Sequence, residues 1–97
     1  MVGAGWPTIW RDNIFLMLTV TLYTKAGCGL CDEVKAELAQ LAVEYPHHLL
    51  EVDITQDAEL FARYRYAIPV VAVGTATLKA PITAVALTHA LRTAVSP

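Results

Sequence analysis

The stretch YTKAGCGLCDEVKAEL, residues 23–38, contains both cysteines of the chain, Cys28 and Cys31. The residues before it, LTVTLYT at 18–24, alternate apolar and β-branched side chains and predict a strand. An amphipathic helix is predicted to begin just past Cys28. Cysteines three positions apart at the start of a helix lie one turn apart on the same face. Their Cα atoms are then about 5–6 Å apart, a separation that a disulfide bond tolerates.

The two cysteines are predicted to differ in reactivity. Cys28 falls at or just before the first helical residue, where unpaired backbone N–H groups and the helix dipole favour a thiolate. Lys25 adds positive charge nearby, whereas Asp32 and Glu33 oppose it, so we predict a moderately lowered pKa for the Cys28 thiol. Cys31 points back into the first turn and is expected to be less exposed. Cys28 is therefore predicted to attack a substrate disulfide, and Cys31 to resolve the mixed disulfide.

Other interpretations of the pair stay open at this point. Cys28 and Cys31 could be buried thiols without a redox role. A zinc site would need two further ligands, for which His47 and His48 are the nearest candidates, although adjacent side chains point in different directions. Cys28 could also hold an iron–sulfur cluster together with glutathione and a second protomer, in competition with disulfide formation by Cys31. We predict no metal site.

The composition limits the possible partners. The chain has 97 residues, of which 56% are apolar and 16% charged, enough for one modest core. Its formal net charge of -2 gives no electrostatic reason to expect nucleic acid or a membrane as partner. Two cysteines are too few for a secreted disulfide scaffold, and residues 1–15 lack a basic region typical of an export signal. We therefore expect a cytoplasmic protein.

The first residues differ in character from the rest. Glycine and proline interrupt any periodicity in residues 1–16, and both tryptophans, Trp6 and Trp10, lie there. We expect residues 1–16 to form an N-terminal extension outside the core fold, and residues 17–97 to form the single domain. Alternatively, the two tryptophans dock on the core. The sequence leaves open whether the natural start is Met1 or Met17.

The rest of the chain predicts alternating helices and strands. The first helix should present one apolar stripe and end at Pro46. HLLEVDI (48–54), IPVVAVG (68–74) and ATLKA (76–80) predict three further strands, and a short helix from Asp57 to Tyr64 should bury Leu60 and Phe61. Thr83 should cap a last helix. The stripe of the first helix comprises Leu30, Val34, Leu38, Leu41 and Tyr45, and that of the last comprises Val85, Leu87, Ala90 and Leu91.

The order of these elements is β-α-β-α-β-β-α, which predicts an α/β fold. The first two strands and the helix between them form a parallel crossover unit, and the last two strands are close enough for a hairpin. Ile68-Pro69-Val70 opens the third strand, where proline suits the first position or a special turn. A cis Ile68–Pro69 bond would expose the backbone of Ile68 to a ligand, whereas this stretch taken by itself favours an ordinary trans bond.

The succession of elements along the chain resembles the thioredoxin fold. These elements are the first strand, KAGCGLC, the amphipathic helix, EVDI, the short helix and IPVVAVG. More closely, residues 17–95 resemble the small bacterial glutaredoxin-like proteins. The resemblance implies a central mixed four-stranded sheet flanked by helices, with Cys28 attacking, Cys31 resolving and Pro69 as a cis-proline facing them. It also implies that Lys25 meets a carboxylate of glutathione and that the Ile68 backbone pairs with bound substrate.

This sequence departs from those families at several positions. Gly29 and Leu30 stand between the cysteines, where glutaredoxins usually have Pro-Tyr and thioredoxins Gly-Pro. These two residues are still expected to contact substrate. Gly74 is followed by residues 75–77, Thr-Ala-Thr, rather than by a second glycine and an aspartate, so half of the usual glutathione site is missing.

The function implied is that of a thiol–disulfide oxidoreductase acting in electron transfer and cell redox homeostasis. Its partners would be a disulfide-containing protein or small-molecule thiol and a thiol reductant, either glutathione or a thioredoxin-type system. No bound cofactor is expected, with glutathione as a candidate co-substrate. The alternative is a non-catalytic binding module that presents the groove at Pro69 to a partner in a redox-sensitive manner.

Overall fold

The computed structural model describes residues 18–95, so the predicted extension at 1–16 lies outside the described residues. The elements follow the predicted order β-α-β-α-β-β-α, with a 3-10 turn added after the second strand. The strands and helices are β1 Leu18–Thr24, α1 Gly29–Leu41, β2 His47–Asp53, the 3-10 turn Ile54–Gln56, α2 Ala58–Tyr64, β3 Val70–Val73, β4 Ala76–Lys79 and α3 Ala84–Val95.

The four strands form one mixed sheet in the order β2-β1-β3-β4. β1 pairs in parallel with β2, with Thr24 opposite Asp53, and antiparallel with β3, with Tyr23 opposite Val70. β3 and β4 form an antiparallel hairpin, whose turn contains Gly74 at a φ of 59°. The predicted crossover unit, hairpin and α/β class are therefore confirmed.

The core lies between the sheet and helices α1 and α3. Alternate residues of β1 point into it, so that Val20 and Leu22 are buried while Thr19 is exposed. β3 reads as a nearly continuous apolar run because it is an inner strand. The buried members of this core are Val20, Leu22, Val34, Leu38, Val71, Val73, Leu87, Ala90 and Leu91.

The apolar stripe predicted for α1 is wrong at its first position. Leu30 is 59% exposed, whereas Cys31, Val34 and Leu38 are buried. An α-helix advances about 100° per residue, which places Leu30 about 80° away from Leu38 around the axis but Cys31 only about 20° away. The buried stripe therefore begins at Cys31. The helix also ends at Leu41 rather than at Pro46, and Tyr45 packs against the core from the following turn.

The short helix α2 is less buried than predicted. Asp57 is its N-cap, with its carboxylate accepting hydrogen bonds from the backbone N–H groups of Glu59 and Leu60 at 2.9 and 3.0 Å. Leu60 and Phe61 are only half-buried. Helix α2 packs against the preceding 3-10 turn, in which Ile54 is fully buried. The fully buried apolar side chain of this segment is thus in the turn before the helix rather than in the helix.

Helix α3 follows the prediction except at one residue. The Thr83 hydroxyl caps it by accepting a hydrogen bond from the backbone N–H of Ala86 at 3.1 Å. Leu87 and Leu91 are buried as predicted, but Val85 is 79% exposed. Val85 precedes Leu87 by two positions, which places it on the opposite side of the helix. Within residues 18–95, no helix is long and apolar enough to cross a membrane.

Candidate functional site

Cys28 lies where the inner strand β1 leads into helix α1. Gly27 turns the chain there at a φ of 78°, a conformation that favours glycine. Cys28 follows with an extended backbone, φ -92° and ψ 101°, and is the N-cap residue of α1. Its carbonyl oxygen accepts the first helical hydrogen bond, from the backbone N–H of Asp32 at 3.1 Å. The site therefore combines an inner strand, a tight turn and a helix N-terminus.

Cys28 and Cys31 are joined by a disulfide bond, with their Cα atoms 5.2 Å apart. The backbone N–H of Cys31 donates a hydrogen bond to the Cys28 sulfur at 3.1 Å. A donor in this position also stabilises a thiolate on the same sulfur, because the negative charge strengthens the hydrogen bond. The helix N-terminus thus offers Cys28 a specific N–H partner as well as the favourable end of the dipole.

The two sulfur-bearing residues differ in access to solvent. Cys31, in the first turn of α1, is 1% exposed, whereas Cys28 is half-buried. An incoming disulfide can therefore reach Cys28 but not Cys31. This is the asymmetry on which the predicted roles of attacking and resolving thiol depend.

The other predicted substrate-binding residues lie around the same end of the sheet. Val70 pairs with Tyr23 at the end of β1, so the preceding Pro69 lies close to the turn that carries Cys28. The Ile68–Pro69 peptide bond is cis, Pro69 is buried and Ile68 is half-buried. Lys25, Gly29 and Leu30 are exposed beside the disulfide. The fold thus places all five predicted binding residues near the cysteines.

The residues that sequence reasoning missed follow β4. A cavity of about 210 Å³ opens beside Leu30 and Pro69, and the segment between β4 and α3 forms part of its wall. The available signal was Pro81, a second proline at an element boundary, whose peptide bond with Ala80 is also cis. The lining residues are Leu30, Glu33, Val34, Glu37, Pro69, Ala80, Pro81, Ile82, Ala84 and Leu87.

The zinc alternative does not fit this arrangement. His47 pairs with Leu18 at the far end of β1, about 20 Å from the end that leads to Cys28, given the rise of a strand. Its Nδ1 lies 2.8 Å from the carbonyl oxygen of Tyr45. Among residues 18–95, no three His, Cys, Asp or Glu side chains come together in a group that could hold a metal ion.

Hydrogen bonds lower the pKa of the Asp53 carboxyl. It lies opposite Thr24, at the same end of the sheet as the cysteines. The hydroxyl and the backbone N–H of Thr55 donate hydrogen bonds to its carboxylate at 2.6 and 2.9 Å. These bonds, that of the hydroxyl first, hold the pKa of Asp53 below its ordinary value. The carboxylate is engaged in capping the 3-10 turn, which is a structural role.

Comparison with known proteins agrees with this fold and site. The family model described as Glutaredoxin-like domain (DUF836) matches residues 19–92. None of the curated proteins matches the chain. Among solved structures, target protein XcR50 from X. campestris is 30% identical with a TM-score of 0.67, and the match covers 80% of this chain and 99% of that chain.

Two thioredoxins in the oxidized state share the fold. Thioredoxin O2 from Arabidopsis thaliana is 18% identical with a TM-score of 0.64, covering 88% of this chain and 83% of that chain. Mitochondrial thioredoxin 3 from Saccharomyces cerevisiae is 16% identical with a TM-score of 0.62, covering 88% and 89%. A thioredoxin-type fold with Cys28 and Cys31 at disulfide distance suggests redox activity. The chain shares the thioredoxin fold and belongs to the family of the glutaredoxin-like domain (DUF836).

Proposed function

We propose that this protein is a thiol–disulfide oxidoreductase in which Cys28 attacks and Cys31 resolves. The observation that carries the proposal is the disulfide at the N-terminus of α1, with Cys28 reachable from solvent and Cys31 buried beneath it. The hydrogen bond from the Cys31 N–H to the Cys28 sulfur supports the direction of attack, because it favours the thiolate on Cys28.

The reaction begins with the reduced dithiol. The Cys28 thiolate attacks one sulfur of a substrate disulfide, which breaks that bond and releases one substrate thiolate. Cys31 then loses its proton and attacks the Cys28 sulfur, which releases the second substrate thiol and forms the Cys28–Cys31 disulfide. Two electrons pass from the dithiol to the substrate. A thiol reductant, either glutathione or a thioredoxin-type protein, restores the dithiol by the reverse exchange.

Lys25, Gly29, Leu30, Ile68 and Pro69 are the substrate-binding residues in this proposal. Their support is that they lie at the end of the sheet that leads to the accessible cysteine. We propose no bound cofactor, with glutathione as a co-substrate at most. A cytoplasmic location fits the activity, because closely spaced cysteines in a reducing compartment are more often catalytic than structural.

A redox titration in glutathione buffers, read by intact mass, tests the proposal. The reduced protein should lose two hydrogen atoms at a defined potential, and Cys28→Ser should abolish this loss. Cys31→Ser is the matched variant: it retains the attacking thiol and should accumulate a mixed disulfide, because the resolving thiol is missing. A mass that never changes across the range would contradict the proposal. Exchange that survives Cys28→Ser would contradict the assigned roles.

A further inference from the structure

The cavity beside the disulfide has an apolar floor. Val34, Pro69 and Leu87 line it and are buried, and Ile82 is half-buried. We call this cavity the Leu30 pocket, because the exposed Leu30 between the two cysteines forms its edge towards the reactive turn. Its volume of about 210 Å³ suits one apolar side chain rather than a large ligand. An apolar surface this close to the exchange site is suited to a residue next to the substrate's cysteine.

Two carboxylates stand on the rim of the Leu30 pocket. Glu33 and Glu37 lie one turn apart on α1, Glu33 exposed and Glu37 half-buried. Neither forms an ion pair with any of residues 18–95, and Lys35, which lies between them in sequence, instead pairs with Glu51 at 3.0 Å.

Within residues 18–95, the remainder of the lining offers no positive charge to balance these carboxylates. Its other residues carry apolar side chains, and Lys25 and Lys79 are not part of the wall. The described part of the rim therefore carries two carboxylates and no cationic side chain.

We propose that the Leu30 pocket selects polypeptide substrates with an apolar residue beside the reacting cysteine and a lysine or arginine flanking it. This inference rests on the proposed function. The apolar side chain enters the pocket, and the cation lies at the rim against Glu33 and Glu37. Charge complementarity of this kind acts on both affinity and encounter rate. Glutathione, with two carboxylates, one ammonium group and no apolar side chain, has neither feature.

Paired synthetic peptides test this selection. Each contains one cysteine next to a leucine and differs only in the flanking residue, lysine or glutamate, and each cysteine is carried as its mixed disulfide with neutral 2-mercaptoethanol. Reduced protein transfers two electrons to each disulfide in a single turnover, which releases the peptide thiol and mercaptoethanol. We expect the lysine peptide to react about fivefold faster, because partly exposed charges interact modestly. The preference should shrink at about 0.5 M salt through screening.

Variants assign the preference to the rim. The double variant Glu33→Gln, Glu37→Gln should bring the lysine-to-glutamate rate ratio close to one. Glu44→Gln, an exposed glutamate beyond the far end of α1, is the matched control and should retain the ratio. Because the ratio compares two substrates on one protein, any change in the thiolate fraction of Cys28 cancels. A ratio that the double variant leaves unchanged would overturn the assignment.

The apolar part of the proposal has its own measurement. Replacing the peptide leucine by glycine should slow exchange severalfold in the natural protein, and Ala84→Phe, which fills the pocket from its exposed end, should remove this difference. In Cys31→Ser protein that carries the trapped leucine peptide, methyl protons of that leucine should show nuclear Overhauser contacts to Ile82. Absence of those contacts would overturn the placement.

The outcomes separate this inference from the proposed function. Exchange with both peptides at equal rates would refute the selection but leave the oxidoreductase proposal intact. No exchange with either peptide would refute the proposed function, and the selection with it.

Discussion

Two leucines of helix α1 provide a direct check on how that helix packs. Leu38 is fully buried, so Leu38→Ala should cost about 2–5 kcal/mol of unfolding free energy through lost transfer energy and a residual cavity. Leu30 is 59% exposed, and complete burial of a leucine contributes about 1.5–3 kcal/mol. Leu30→Ala should therefore cost at most about 1 kcal/mol. Helix propensity does not obscure the comparison, because leucine and alanine both favour helices.

Urea denaturation of the oxidised proteins measures both values. Thermal unfolding gives a second measurement: in a domain of this size about 1 kcal/mol corresponds to about 4–8 °C in Tm, so Leu38→Ala should lower Tm by about 8–40 °C and Leu30→Ala by no more than about 8 °C. An unchanged m-value, the slope of the unfolding free energy against denaturant concentration, would show that both variants unfold from the same compact state. Losses that agree within about 0.5 kcal/mol would refute the assignment of Leu38 to the core and Leu30 to the surface.

The remaining predictions concern two glycines and a carboxylate. Gly74→Ala should lower the free energy of unfolding by about 1 kcal/mol or more. An alanine is strained at the positive φ of this position, and its Cβ would lie 3.3 Å from that of Ala94. Gly29→Ala should raise the free energy of unfolding by up to about 1 kcal/mol, since nothing lies within 4 Å of the added Cβ. Urea denaturation measures both variants, and changes of the same sign in their free energies of unfolding would contradict this prediction. Carboxyl NMR should place the pKa of Asp53 below 3.8. The ionised carboxylate therefore stabilises the fold above that pH, and this stabilisation is lost as the pH falls through the lowered pKa. Thr55→Val should raise that pKa, and an unmoved titration would contradict the role of the hydroxyl.

The sequence predicted the order of the elements because their periodicities are distinct. β1 alternates clearly and β3 is a short apolar run behind a proline, so both were recognised. Two of the errors concern the first turn of a helix. Leu30 and Val85 each lie in the first turn of their helices, where an apolar side chain can satisfy the spacing and still face solvent. Periodicity specifies a direction around the helix axis, and it does not specify where the packed surface ends.

The candidate site was predictable in part for a similar reason. The spacing of Cys28 and Cys31 fixes their separation through local helix geometry alone, so the sequence sufficed. The pocket depends on how residues 80–84 pack against α1, about fifty positions away in the chain. Nothing in the local pattern of Glu33 and Glu37 distinguishes a pocket rim from an ordinary solvated helix face. Long-range packing supplies that distinction.

The two positions between the cysteines are free of structural demands. A side chain at position 29 would meet nothing within 4 Å, and the side chain at position 30 is mostly in solvent. Under the proposed function, we expect substitutions there to change which substrates are accepted while the core remains intact. We therefore expect a library randomised at this dipeptide to contain mostly folded protein, so that the specificity of the proposed exchange can be varied in single steps from this sequence.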